Sequence, residues 1–195
     1  MGNLNSVKRK LARLGIDALI SNNPSDISIA DKLILPGVGH FQKAVENLKQ
    51  LQLWETLNYA VLEKRKPILG ICLGMQLMAA HSEEGDIDGL GWFDAEVIKF
   101  RVKDFLTHKV PHTGWNQITK VKESLLMKNI PDLSEFYFVH SFHYKCNNLA
   151  DILDETEYEY KFTSAVEKDN IFGVQYHPEK SHDIGEKLLE NFINL

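Results

Sequence analysis

Cysteine is scarce: Cys72 and Cys146 are the only two in 195 residues. That is too few for a disulfide framework, and each lies in an apolar or strand-like stretch, which fits a reducing, cytoplasmic setting. Basic charge is not in excess. Lys and Arg number 22 against 27 Asp and Glu, a formal net charge of −5, and the cations are scattered, which argues against a nucleic-acid footprint. Long apolar runs are missing too: none approaches the roughly 20 residues that span a bilayer, and the start lacks the charged-then-apolar pattern of a secretory signal. No repeat, low-complexity tract or linker marks a second domain, so residues 1–195 are expected to form one domain.

What is present alternates strand and helix. Leu4, Val7, Leu11 and Leu14 fall at helical spacing and Gly15 follows as a stop. Ile16 to Ile20 reads as a strand, and Lys32 to Leu35 as a second strand that breaks at Pro36-Gly37-Val38-Gly39. Two helical stretches run to about Arg65. Pro67 to Ile71 is a continuous apolar run bounded by turn formers, the pattern of a strand buried on both faces of a parallel sheet, and a helix is expected through Leu77 to Ala80. This order argues for an α/β fold with an open, mainly parallel central sheet. Phe93 to Phe100, Phe136 to Val139, Tyr158 to Val166 and Ile171 to Tyr176 are rich in aromatic and β-branched residues and supply an antiparallel edge, with Asp169-Asn170 as a hairpin turn. Asp183 to Leu195 closes as a helix.

Gly70-Ile71-Cys72-Leu73-Gly74 follows the buried strand and precedes a helix, the setting of a nucleophile elbow with Cys in place of Ser. A sharp turn strains the nucleophile's backbone, and small neighbours let strand and helix approach. A helix start beside the sulfur favours the thiolate, and the free N–H of Leu73 points to where a tetrahedral oxyanion would form. A lone Cys is more often a buried small hydrophobe; the glycines and the groups below favour catalysis. Tyr176-His177-Pro178-Glu179 ends a strand, and extended geometry sends His177 and Glu179 to the same side. His177 then serves as base to Cys72, with Glu179 on its far nitrogen. By itself the triplet reads more readily as a strand-end histidine with a solvated carboxylate.

The G-x-C-x-G elbow, the P-G-x-G loop and the late H-P-E, in that order, make the chain resemble the class I (triad-type) glutamine amidotransferases. More narrowly, it is similar to the glutaminase subunits of imidazole glycerol phosphate synthase. The matching stretches are Gly2-Asn3-Leu4 with Ser6-Val7, Leu35 to Gly39, Gly70 to Gln76, Pro111-His112 with Gly114-Trp115-Asn116, Tyr137 to Ser141 and Gln175 to Lys180. The resemblance implies helices on both faces of the sheet, no metal and no cofactor. It implies that Cys72 attacks the side-chain amide of glutamine, with His177 and Glu179 as its partners. The peptide N–H near Val38 and Gly39 joins Leu73 as oxyanion donor, sometimes after a flip. Gln76 grips the substrate, with Ser141 and Phe142 offering backbone contacts, although a plain core strand fits that last segment equally. By the same resemblance, His112, Trp115, Asn116 and Lys180 are expected to face a (β/α)8-barrel cyclase partner in a heterodimer, through which ammonia travels. Cys146 reads as a filler near a strand end.

Two departures stand out. Members of the family begin with a further apolar strand ending in Asp-Tyr-Gly ahead of the Met-Gly-Asn-Leu segment, so the first strand of the sheet is expected to be absent here, through truncation or a misassigned start. Thr113 stands where the histidine-pathway proteins commonly carry Met, which touches the partner face. The alternative within the family is a paralogue that supplies ammonia for amidination of a bacterial surface sugar. Outside it stand a free-standing cysteine hydrolase, disfavoured by Gln76 and the P-G-x-G loop, and a non-catalytic binding subunit, which would have no use for an intact Cys, His and Glu.

Overall fold

The computed structural model describes residues 4–195; Gly2-Asn3 of the opening motif lie outside them. Helix α1 (Leu4–Arg13) buries Val7 and Leu11, and Gly15 at φ 78° terminates it as expected. The chain continues through α2 (Pro24–Ile29), β1 (Leu33–Gly37), α3 (Phe41–Gln50), α4 (Leu53–Asn58), β2 (Ile68–Cys72) and α5 (Leu73–Gln76). Then follow β3 (Ala79–Ser82), β4 (Ile87–Asp88), β5 (Phe93–Lys99), β6 (His112–Gln117), β7 (Thr119–Lys120), β8 (Glu135–His140) and β9 (Phe142–Cys146). A hairpin of β10 (Ile152–Tyr158) and β11 (Tyr160–Lys168), then β12 (Ile171–Val174) and α6 (His182–Ile193), complete it.

The main sheet runs β1-β2-β12-β11-β9-β5-β3-β4, with β10 and β7 branching from β11. Strand β2 lies between two parallel neighbours, so that Ile68 faces Leu33 and Ile171 while Ile71 faces Pro36 and Val174. Every residue of β2 is buried. Each large apolar side chain so enclosed contributes about 1.5–3 kcal/mol, which makes the strand ending in Cys72 a firmly anchored part of the sheet. Helices α1 and α6 pack with Leu69, Ile71 and Phe172 on one face, and α3 and α4 with Ile68 and Ile171 on the other. The α/β class with helices on both faces therefore holds. Parallel pairing is confined to β1–β2–β12 and β3–β5, so the antiparallel part extends well beyond an edge. Strands β6 and β8 form a separate two-stranded ribbon with His112 opposite His140 and Trp115 opposite Tyr137.

Several segments differ from the sequence reading. Residues 16–20 form no regular element and join no ladder; Leu19 is 73% exposed, and among the described residues β1 has a neighbour on one edge only. A strand without a backbone partner is not a stable element. Strand β1 runs through Pro36 to Gly37 rather than stopping at Leu35, and Pro36 is tolerated because the strand is at an edge. The helix after Cys72 is one turn, Leu73–Gln76, and Ala79–Ser82 is a strand parallel to β5. Tyr158 to Val166 is not one strand: Glu159, at φ 63°, turns the chain between β10 and β11.

Candidate active site

Cys72 has φ 54° and ψ −111°, the strained backbone that the elbow requires. The two flanking glycines are explained by close approach. A Cβ at Gly74 would strike the carbonyl oxygen of Leu35, and one at Gly70 would lie 2.7 Å from the Met75 nitrogen. Leu73 opens α5, so its N–H has no intrahelical acceptor. Gly37 is the in-register neighbour of Cys72, and the Val38–Gly39 peptide follows directly after it. Val38 is 41% exposed, and Gly39 sits at φ 114° with open space around it.

His177 is buried, and its Nδ1 lies 2.8 Å from Glu179 Oε1, also buried. The pairing arises differently from the extended geometry inferred above. Strand β12 ends at Val174, and Pro178–Lys180 form a 3₁₀ turn that folds Glu179 back onto the ring. The backbone of His177 is pinned twice, its N–H donating to Tyr137 O at 2.9 Å and its carbonyl accepting from Ser181 Oγ at 2.6 Å. Helix α6 seats against this turn at Gly185, where a Cβ would meet the Pro178 carbonyl. Burial opposes charge on His177, but the hydrogen bonds and charges of Cys72 and Glu179 outweigh it and raise the imidazole to about 9. With its carboxylate held against Nδ1, His177 is thus set to carry a proton beside the sulfur. Because α5 is a single turn, its dipole adds little; the sulfur is supported instead by His177 and by the Gln175 carboxamide, whose Nε2 lies 3.5 Å from Sγ.

Gln76 is buried one turn beyond Cys72, its Nε2 donating to Phe142 O at 3.0 Å and to Gln175 Oε1 at 2.9 Å. Ser141 and Phe142 lie at the β8–β9 junction, and Ser141 O accepts from Phe100 N–H at 3.0 Å. Gln175, in the H-P-E stretch, received no role from the sequence; its position one residue past β12 beside a candidate nucleophile was the available signal.

Of the four residues read as partner-facing, three lie on β6, where alternation sends Trp115 to one side and His112 and Asn116 to the other; Lys180 ends the 3₁₀ turn. Trp115 is 45% exposed and stacks on His182 at 4.9 Å, and exposed Lys180 sits with its Nζ 5.1 Å from the Tyr137 ring. His112 instead points inward and is buried, and half-buried Asn116 donates to Glu157 O at 2.9 Å. Cys146 ends β9, donates to Asn148 O at 3.2 Å, and is pushed up to about 11 by burial, an unreactive thiol. Among the described residues no group of three or more His, Cys, Asp or Glu could hold a metal, and no helix is long and apolar enough to cross a membrane.

A buried thiol at a strained elbow, a carboxylate-oriented imidazole and a helix-start N–H next to the sulfur are the equipment of acyl transfer. The model of the family Glutamine amidotransferase class-I matches residues 1–195, and the chain belongs to that family. At the level of particular proteins, it is 51% identical over 193 residues to imidazole glycerol phosphate synthase subunit HisH 2 of Methanococcus maripaludis, covering 99% of this chain and 95% of that one. It is 48% identical over 195 residues to subunit HisH 1 of Campylobacter jejuni, covering 100% and 96%. In fold it is similar to a solved glutamine amidotransferase with a TM-score of 0.78 at 17% identity, over 99% of this chain and 93% of that one.

Proposed function

We propose that this chain is the glutaminase subunit of an imidazole glycerol phosphate synthase, releasing ammonia from glutamine for histidine biosynthesis. The observation that carries the reading is the Cys72–His177–Glu179 relay at the elbow, in a chain about half identical to HisH subunits along its length. The Cys72 thiolate attacks the side-chain carbonyl carbon of glutamine, and the oxyanion so formed takes hydrogen bonds from Leu73 N–H and the Val38–Gly39 peptide. As the C–N bond breaks, the His177 imidazolium gives its proton to the departing nitrogen, leaving ammonia and a thioester. Neutral His177 then takes a proton from water, whose hydroxyl attacks the thioester; glutamate leaves and the thiolate–imidazolium couple is restored. Glu179 keeps the imidazole in the required tautomer and supports its charge. Gln76 and the backbone at Ser141 and Phe142 hold the amino-acid end of the substrate.

The ammonia passes to a (β/α)8-barrel cyclase docked on the exposed face that carries Trp115, Tyr137 and Lys180. Cys72→Ala tests the reading: glutamate release should vanish, while free ammonia still drives the synthase reaction when the barrel subunit is supplied. Retained glutaminase turnover in Cys72→Ala refutes the triad, and ammonia transfer to an acceptor of another class, such as a sugar, refutes the histidine assignment.

A further inference from the structure

A continuous chain of hydrogen bonds runs from the inner side of the β6–β8 ribbon to the nucleophile. Asn116 Nδ2 lies 3.3 Å from His112 Nε2, His112 Nδ1 lies 3.1 Å from His140 Nε2, and His140 Nδ1 lies 2.8 Å from Phe142 O. On the far side of that carbonyl come Gln76, Gln175 and Cys72 Sγ. A carbonyl oxygen only accepts, and this fixes the polarity of the whole chain. His140 must carry its proton on Nδ1, which leaves Nε2 as acceptor and obliges His112 to donate from its own Nδ1. His112 Nε2 then accepts from Asn116. In the other direction Gln76 must turn its NH₂ to Phe142 O and Gln175 Oε1, which obliges Gln175 to turn its NH₂ to the sulfur. Both amide hydrogens of Gln76 are thereby used, and its carbonyl oxygen is the group left for substrate.

The two imidazoles are held for this purpose by their surroundings. The His112 ring lies between Phe138, stacked at 4.8 Å, and Tyr158, stacked at 4.0 Å. Both histidines are buried. Burial, with His108 beside His112, and with His112, His143 and His177 near His140, keeps both in the neutral state that the chain needs.

We propose that His112 and His140 are positioning residues of the substrate pocket, which hold the Phe142 carbonyl and through it aim the Gln76 carboxamide at bound glutamine. The inference rests on the glutaminase reading above. Their action is on binding of substrate, since neither ring touches the reacting atoms.

Three variants and one spectrum test it. His112→Phe and His140→Phe keep an aromatic ring in the packing but remove the donors; KM for glutamine should rise about tenfold or more while kcat changes by less than about threefold. His140→Asn, whose amide nitrogen takes the place of Nδ1, should recover most of that loss, which a purely structural role would not produce. Wild-type KM in both Phe variants, in a protein whose wild type does release glutamate, overturns the proposal; absence of glutamate release from the wild type with its barrel partner overturns the underlying reading instead. Independently of variant folding, ¹⁵N spectra of the histidine side chains in the wild-type protein should give His112 and His140 as neutral, Nδ1-protonated rings at neutral pH. The Nε2-protonated form at either residue also overturns it.

Discussion

Replacing Glu179 by Gln removes one negative charge 2.8 Å from His177 Nδ1 and leaves an amide oxygen that can still accept the ring proton. Volume and tautomer are conserved; what is lost is the charge that opposes desolvation of the imidazolium in a buried site. Breaking one side of a buried ion pair costs about 3–5 kcal/mol, and part of that loss falls on the free enzyme as well as on the transition state. The expected fall in kcat/KM for glutamine is therefore about 100- to 1,000-fold, smaller than that of His177→Asn, which removes the proton carrier itself. The pH profile separates this cause from simple misfolding. His177 in the wild type loses its proton near 9, so the alkaline limb of kcat/KM should fall through that region, because the leaving nitrogen needs the imidazolium proton. In Glu179→Gln the limb should move to lower pH. Glutamate release measured across neutral to alkaline pH, with the partner subunit present, reads both quantities. A variant with wild-type turnover and an unmoved limb refutes the role of Glu179 and leaves it a buried structural carboxylate.

Asp154 is fully buried, accepts from Ser164 Oγ at 2.6 Å and Tyr176 OH at 2.8 Å, and is raised by burial from 3.8 to about 7. A carboxyl raised on folding gives stability that is complete below its unfolded value and lost as pH climbs through the folded one. The gap corresponds to ~4 kcal/mol, so denaturant curves of wild type minus Asp154→Asn should slope downward between about pH 4 and 7; a flat difference refutes it. Gly74→Ala forces a Cβ onto the Leu35 carbonyl and should destabilise the fold by about 1–3 kcal/mol while lowering kcat about 100-fold through displacement of the thiol. A thermal midpoint and kcat both equal to wild type would contradict the close approach at the elbow.

The elbow was legible because its glycines encode a contact between backbones, which any sequence able to form it must declare. The His177–Glu179 pairing was legible as an association but not as a geometry, since Pro178 permits both an extended chain and the 3₁₀ turn found here. Residues 16–20 look like a strand because their side chains suit one, yet a strand depends on a neighbour that its own residues cannot specify. Strand β10 escaped notice for the opposite reason. Asp154 and Thr156 are buried in it, satisfied by Ser164 and Tyr176 from other elements, so inward-facing polar groups disguise the alternation. His112 and His140 are 28 residues apart in the chain, and only the β6–β8 register reveals that they meet.

The contact between Gly74 and Leu35, with Gly37 tight against Leu73, has a mechanical consequence. The end of β1 and the start of α5 interlock like two cogs, so the thiol and the Leu73 N–H are held together against the sheet. Freedom begins two residues later, at Gly39, where an added Cβ would meet open space. A rotation of the Val38–Gly39 peptide therefore need not disturb the nucleophile, and such a loop motion belongs to the nanosecond-to-microsecond range rather than to slow domain rearrangement. The elbow is built as a stiff anvil, and the Val38–Gly39 peptide next to it is a small part that can turn by itself.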